Sequence, residues 1–147
     1  MQNWRKIHRI YAGTEVPGYA YASVPVAQCL GNNLIRIYFS SRDERNRSVP
    51  FYLDYDLFNH AVVYIHKYPV LTPGRIGLFD DSGVMPCCLL RNGDEDWMYY
   101  IGWNLGVTVP FRNAVGLAVS EKNSSAFVKM YEGPILDRTI IEPYFTA

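Results

Sequence analysis

Apolar residues in this chain fall in short runs broken by polar turns, and helical spacing is nearly absent. Leu34 to Phe39, Trp97 to Trp103 and Asn113 to Val119 are apolar at successive positions rather than strictly alternating. A strand reads this way when both faces of its sheet are covered. Turn residues sit between the runs, at Gly31-Asn32-Asn33 and Arg91-Asn92-Gly93-Asp94. Trp4, Ile7 and Ile10/Tyr11 alone would suit a short amphipathic turn, and a strand is expected there instead.

The runs repeat. Val24-Pro25-Val26-Ala27-Gln28-Cys29-Leu30, a turn and Leu34 to Ser41 are answered by Met85-Pro86-Cys87-Cys88-Leu89-Leu90, a turn and Trp97 to Asn104. Val49-Pro50-Phe51 is matched to Val109-Pro110-Phe111, and Ala61 to Ile65 is matched to Ala126 to Met130. The junction Tyr68-Pro69-Val70-Leu71 returns as Gly133-Pro134-Ile135-Leu136, and a third copy opens at Glu142-Pro143-Tyr144. Pro25, Pro86 and Pro143 are 61 and 57 residues apart. Short strands recurring at such a period predict an all-β protein with about two and a half blades of four antiparallel strands, of the β-propeller type. The expected organisation is one partial propeller domain over 1–147, with a first blade at about 1–68, a second at about 69–132 and the start of a third at about 133–147.

Composition narrows the function. Fourteen basic side chains balance fourteen acidic ones, so no broad field draws the chain to nucleic acid or to an anionic membrane. No apolar run approaches a membrane span, and Met1 to Lys6 is not followed by a secretion-type apolar stretch, so a cytoplasmic location is expected. Cys29, Cys87 and Cys88 lack zinc or redox spacing and read as small buried hydrophobes, the last two on opposite strand faces. His8, His60 and His66 are scattered, no phosphate-binding glycine loop is present, and no cofactor or metal is expected. The glycosylation pattern at Asn46 and Asn123 marks polar loops. Twelve tyrosines are many for this length; they suit strands, and they also build sugar-binding clefts.

Three segments carry a family resemblance: Arg36-Ile37-Tyr38-Phe39-Ser40-Ser41-Arg42-Asp43, Gly77-Leu78-Phe79-Asp80-Asp81-Ser82-Gly83-Val84 and Met98-Tyr99-Tyr100-Ile101-Gly102-Trp103. Together the chain resembles the N-terminal half of five-bladed propellers of the arabinanase–levansucrase–invertase superfamily of glycoside hydrolases. The resemblance implies a partial five-bladed propeller and a carbohydrate-binding or glycosidase-like role. Enzymes of that superfamily place a carboxylate before a proline on the inner strand of each of the first three blades. The matching positions here are Val24, Met85 and Glu142, so the resemblance carries over an acid at Glu142 only.

Glycoside hydrolysis needs a proton donor and a second carboxylate across the scissile bond. Glu142 is the candidate acid, with Asp80 and Asp81, in the loop entering the second blade, as candidate partners. Asp80-Asp81-Ser82-Gly83 is equally a good turn. Arg42, Asp43, Trp103, Asn104 and Arg112, at blade edges, are the candidate sugar contacts.

Two and a half blades do not close a ring, and an open sheet exposes an apolar face. A homodimer that completes the propeller is therefore expected, since two-fold dimers are the commonest homo-oligomers. The alternatives are a non-catalytic assembly or binding module and a truncated remnant of a propeller glycosidase.

Overall fold

The structure, a computed structural model, describes residues 3–121 and 124–144. Its strands are β1 (Ala20–Gly31), β2 (Leu34–Arg42), β3 (Ser48–Asp56), β4 (Ala61–Ile65), β5 (Gly83–Asn92), β6 (Glu95–Leu105), β7 (Phe111–Glu121) and β8 (Val128–Lys129). Strands β1 to β4 form one antiparallel meander and β5 to β8 a second. A single parallel pairing, Ser48 with Gly83, joins them. No described helix is long and apolar enough to cross a membrane.

Local chemistry sets the hairpins. Asn32 and Asn33 turn β1 into β2 with φ of 51° and 63°, a conformation asparagine tolerates better than most residues. Gly93, at φ 62°, does the same between β5 and β6.

The main core lies between the two meanders. Tyr38, Tyr52, Val70 and Leu71 meet Val84, Met98, Tyr100, Ala118 and Phe127 there, all buried. A second core covers the opposite face of the first meander, where Phe39, Val49, Phe51, Leu53 and Tyr55 pack beneath Val16, Tyr11 and Tyr19. Phe51 is fully buried, and such burial contributes about 2–3 kcal/mol. β3 is buried along nearly its whole length, with Ser48 and Asp54 buried among its apolar residues.

The N-terminal segment departs from expectation. Residues 3–12 form no strand. Trp4 and Ile7 are exposed, and the segment is held as an irregular strap by side chains instead. His8 Nε2 hydrogen-bonds the Tyr55 hydroxyl at 2.7 Å, and Tyr11 rests on Phe39 with ring centroids 4.9 Å apart. The aromatic face of β2 and β3 gives those side chains a docking surface without any backbone ladder.

The repeat is present, but its register corrects one match. Val70 N bonds Pro50 O in the first meander, and Leu136 pairs with Val115 in the second. Pro50 therefore corresponds to Val115, whereas Val109 and Pro110 precede β7 in a turn. The shared Val-Pro-Phe triplet is a coincidence of composition. By the same register Tyr38 corresponds to Tyr99, each one residue before the ring (Phe39, Tyr100) that packs inward on the preceding layer. Gly116 stands opposite Tyr100 because a Cβ there would strike its ring.

This register leaves the second meander with one open face. Trp97, Tyr99, Ile101, Val115 and Val119 point away from the first meander and are half-buried. They occupy the places that, in the first meander, are covered by the second.

The cysteines are exposed, not buried. β1 and β5 are the inner strands of their meanders and carry largely exposed residues, and a bulge between Pro86 and Cys88 disturbs the alternation. In the segment expected to open a third unit, Ile135 and Leu136 bond back to Val115, and residues 137–144 form no strand. Phe145, Thr146 and Ala147 lie outside the described residues.

Candidate functional site

The two meanders converge at the end where β1 and β5 begin and β2 and β6 finish. Gly83 sits in the seam with φ 154°, and a Cβ on it would fall on Ser48 Oγ and Trp103 Nε1. Only glycine lets the three strands approach this closely. Trp103 Nε1 donates to Ser48 Oγ at 2.6 Å, and Ser82 N donates to the Trp103 carbonyl at 3.1 Å. Arg42, the last residue of β2, lays its guanidinium 5.0 Å from the Trp103 ring centroid, within cation–π range. Its Nη1 donates to the Asn46 carbonyl at 2.9 Å. Asn113 lies beside Trp103 in register, its Oδ1 buried and without a hydrogen-bond partner among the described residues.

The other expected sugar contacts surround this seam. Asp43 opens the loop after Arg42 and accepts from the Arg47 and Arg45 backbone and the Arg47 guanidinium at 2.8–3.0 Å. Burial pushes its pKa up, but these donors prevail and hold it below the usual carboxylate value. Asn104 donates to the Leu78 carbonyl at 3.1 Å, tying β6 to the loop that carries the aspartates. Arg112 is exposed on β7, opposite Asn104.

The three candidate acids are in three different settings. Asp80 is fully buried, 2.6 Å from Lys129 Nζ, and accepts from the Tyr100 hydroxyl at 3.1 Å. Burial, with Asp80's charge beside it, raises the Tyr100 pKa, so that hydroxyl stays a donor. Asp81 accepts from Gly77 N and Ser82 Oγ, both at 2.9 Å, as a turn aspartate does. Glu142 is exposed, and its backbone closes a turn with Thr139. No hydrogen bond or ion pair among the described residues joins Glu142 to Asp80 or Asp81.

Several residues of the region escape sequence reasoning. Ser48 carries no sequence signal. Lys129 does carry one, as a lone cation inside an apolar strand. Next to the seam, a cleft of about 530 Å³ is lined by Arg9, Tyr11, Tyr21, Ser23 and Arg42. It needs the strap, where a strand is expected from the sequence and an irregular segment is found, so only the structure reveals it.

No protein-family model matches the chain. It is 41% identical over 121 residues to two proteins of Mycobacterium tuberculosis, Uncharacterized protein MT1551 of strain CDC 1551 / Oshkosh and Uncharacterized protein Rv1502 of strain ATCC 25618 / H37Rv. Those matches cover 80% of this chain and 40% of each relative, so the chain spans about two fifths of their length. Among solved structures it is similar to one described as a glycoside hydrolase, at TM-score 0.63 and 16% identity, over 87% of this chain and 41% of that one. It is similar to a structure described as a BT0996 RGII complex at TM-score 0.62 and 16% identity, over 85% and 40%. A glycosyl hydrolase from Bacteroides ovatus follows at TM-score 0.56 and 18% identity, over 74% and 30%. At these identities the likeness is one of fold: the chain has a glycosidase-like, all-β architecture.

Proposed function

We propose that this chain is a carbohydrate-binding portion of a five-bladed propeller, its two meanders being two successive blades. The reading rests most on the seam, where Arg42, Trp103, Ser48 and Asn113 gather at the starts of the inner strands. Trp103 and Ser48 are buried and fix the seam, while beside them the exposed Tyr21 ring and the Arg42 guanidinium border an open cleft. Such a ring with a flanking guanidinium suits a sugar, which offers apolar C–H groups on one side and hydroxyls at its rim. The glycoside-hydrolase neighbours agree with this reading.

Binding is favoured over turnover by the carboxylates. Asp80 is neutralised by Lys129 and shut from solvent, and Glu142 is a turn residue far along the chain from both aspartates. Turnover would then draw on carboxylates supplied from outside this set. A screen of neutral and acidic oligosaccharides by calorimetry, beside an aryl-glycoside turnover assay, tests both readings. Saccharide binding weakened about tenfold by Arg42→Ala, with no turnover, is the expected result. Turnover abolished by Glu142→Gln would establish the glycosidase instead, and no saccharide bound would overturn the proposal.

The association expected from the sequence belongs to this reading. The open face of the second blade matches, place for place, the face of the first that the second covers, and a second copy of this chain is proposed as its cover.

A further inference from the structure

We propose that the cleft beside the seam recognises an acidic sugar, one whose ring carries a carboxylate or a phosphate. This rests on the carbohydrate reading and adds the ligand's charge. The cleft lies between the N-terminal strap and the first half of β1, and its lining includes the guanidinium-bearing side chains of Arg9 and Arg42 and no acidic residue. Arg36, Arg47, Arg75 and Arg91 are each held by a carboxylate at 2.8–2.9 Å, whereas Arg5, Arg45 and Arg112 are dispersed on the surface without an ion pair among the described residues. What sets Arg9 and Arg42 apart is that both line one cleft. Neither Arg9 nor Arg42 has an ion pair among the described residues. Two guanidiniums against the one carboxylate beside the lining, Glu15 at the Tyr11 hydroxyl, leave a local excess of positive charge where the fold places a broad opening beside an aromatic cluster. Guanidinium forks match a carboxylate or phosphate bidentately.

The remaining lining suits the sugar itself. Tyr21 is 69% exposed and held at φ 73°, and Val24 in the same strand is held at φ 50°. Both are unusual backbone states for such residues, and a valine there is a true outlier. Strain of this kind gathers where a strand must present side chains in a fixed way. It coincides with two register shifts in β1 and turns the strand start toward the strap. Tyr11 lends its ring; its hydroxyl, pushed up to about 12 by burial and by Glu15, stays protonated and donates to that carboxylate. Ser23 supplies a further hydroxyl. A volume of about 530 Å³ lies within the usual range for small-ligand sites, roughly 300–1,000 Å³.

Titration calorimetry at low salt with trigalacturonate, galactotriose and galactose 6-phosphate tests the assignment. An acidic probe binding about tenfold tighter than galactotriose is expected, with the gap closing as salt rises. The better of the two acidic probes identifies the anion. Arg9→Gln, on the exposed strap, lowers acidic-sugar affinity several-fold at an unchanged melting temperature, and Arg42→Gln lowers it further. Galactotriose bound as tightly as the acidic probes overturns this inference and leaves the carbohydrate reading standing. Acidic-sugar affinity indifferent to both substitutions overturns it as well, by placing the anion elsewhere. A chain that binds none of the three probes loses both readings together.

Discussion

Trp103 on β6 and Ser48 on β3 belong to different meanders and are joined by a hydrogen bond of 2.6 Å from the indole Nε1 to the hydroxyl. The bond crosses the seam directly over Gly83, whose missing side chain makes room for it. Apart from the Ser48–Gly83 pairing, no ladder among the described residues spans this junction, so side chains fix how the two sheets meet at the candidate site.

Removing the acceptor tests that role. Ser48 is fully buried and Trp103 is 8% exposed, so Ser48→Ala leaves the indole N–H without a partner and without water. An unsatisfied buried donor costs about 1–3 kcal/mol. A drop in melting temperature of several degrees is expected, since about 1 kcal/mol moves a domain of this size by roughly 2–8 °C. A melting curve superimposable on the parent's would show that the bond contributes nothing.

The ion pair of Asp80 with Lys129 is the second lock. It pins the loop before β5 to the outer strand β8, with the Tyr100 hydroxyl donating to the same oxygen, Oδ2, while Oδ1 is buried without a hydrogen-bond partner among the described residues. Lys129→Met strands a buried carboxylate, and breaking such a pair costs about 3–5 kcal/mol. Adding Asp80→Asn removes the stranded charge and should recover much of that loss. Urea unfolding of the single and double variants measures the coupling. Additive effects, with no recovery in the double variant, would mean that the two charges do not depend on each other.

The architecture was legible because strands and turns announce themselves locally. Asn32-Asn33 and Asn92-Gly93 mark the hairpins, and the prolines at 25 and 86 fall on corresponding inner strands, β1 and β5. Register was less legible. The triplets at Val49 and Val109 look equivalent, yet the equivalence is decided by backbone bonds at Pro50 and Val115 that no short motif encodes. The site was half-legible. Arg42 and Trp103 do come together, as strand-end residues of two meanders that meet at one seam. Asp80 reads the same in sequence whether it faces a cleft or a lysine, and its partner lies 49 residues further on. The strap eluded the pattern because it packs by isolated rings and one histidine rather than by periodic burial.

His66 supplies a pH dependence whose sign can be worked out. Its ring stacks on Tyr52 at 4.7 Å and 7°, with the Arg36 guanidinium 3.9 Å from the centroid of the same tyrosine. Burial, reinforced by the Arg36 charge and opposed by Asp54, lowers its pKa below the ordinary 6.5. The unfolded chain therefore takes up the proton first as pH falls. Stability is complete above 6.5 and declines as pH drops from there through the depressed folded value. Thermal melts across this window should fall with pH in the parent protein. His66→Phe keeps the stacked ring and should flatten that part of the curve. An unchanged slope in the variant would assign the dependence to other groups. Asp43, whose pKa is also lowered, acts in a separate window, losing its contribution only as pH falls below the usual carboxylate range.

The open face of the second meander is the surface on which the proposed association depends. Ile101 lies at its centre, flanked across the strands by Met85 and Val115, and all three are half-buried with no described layer above them. A lysine at position 101 can turn its charged end to water while this face is free, so it should cost the isolated chain little. Against a second copy the same charge would be taken out of water without a partner, which is strongly unfavourable. Ile101→Lys is therefore expected to shift the mass seen by light scattering at micromolar concentration from dimer to monomer, with a melting temperature near that of the parent monomer. Arg112→Glu, at the exposed end of β7, serves as a charge-change control that should leave the mass alone. A parent chain that is already monomeric at these concentrations removes the second copy as the cover of this face. A variant that stays dimeric would place the contact on some other surface.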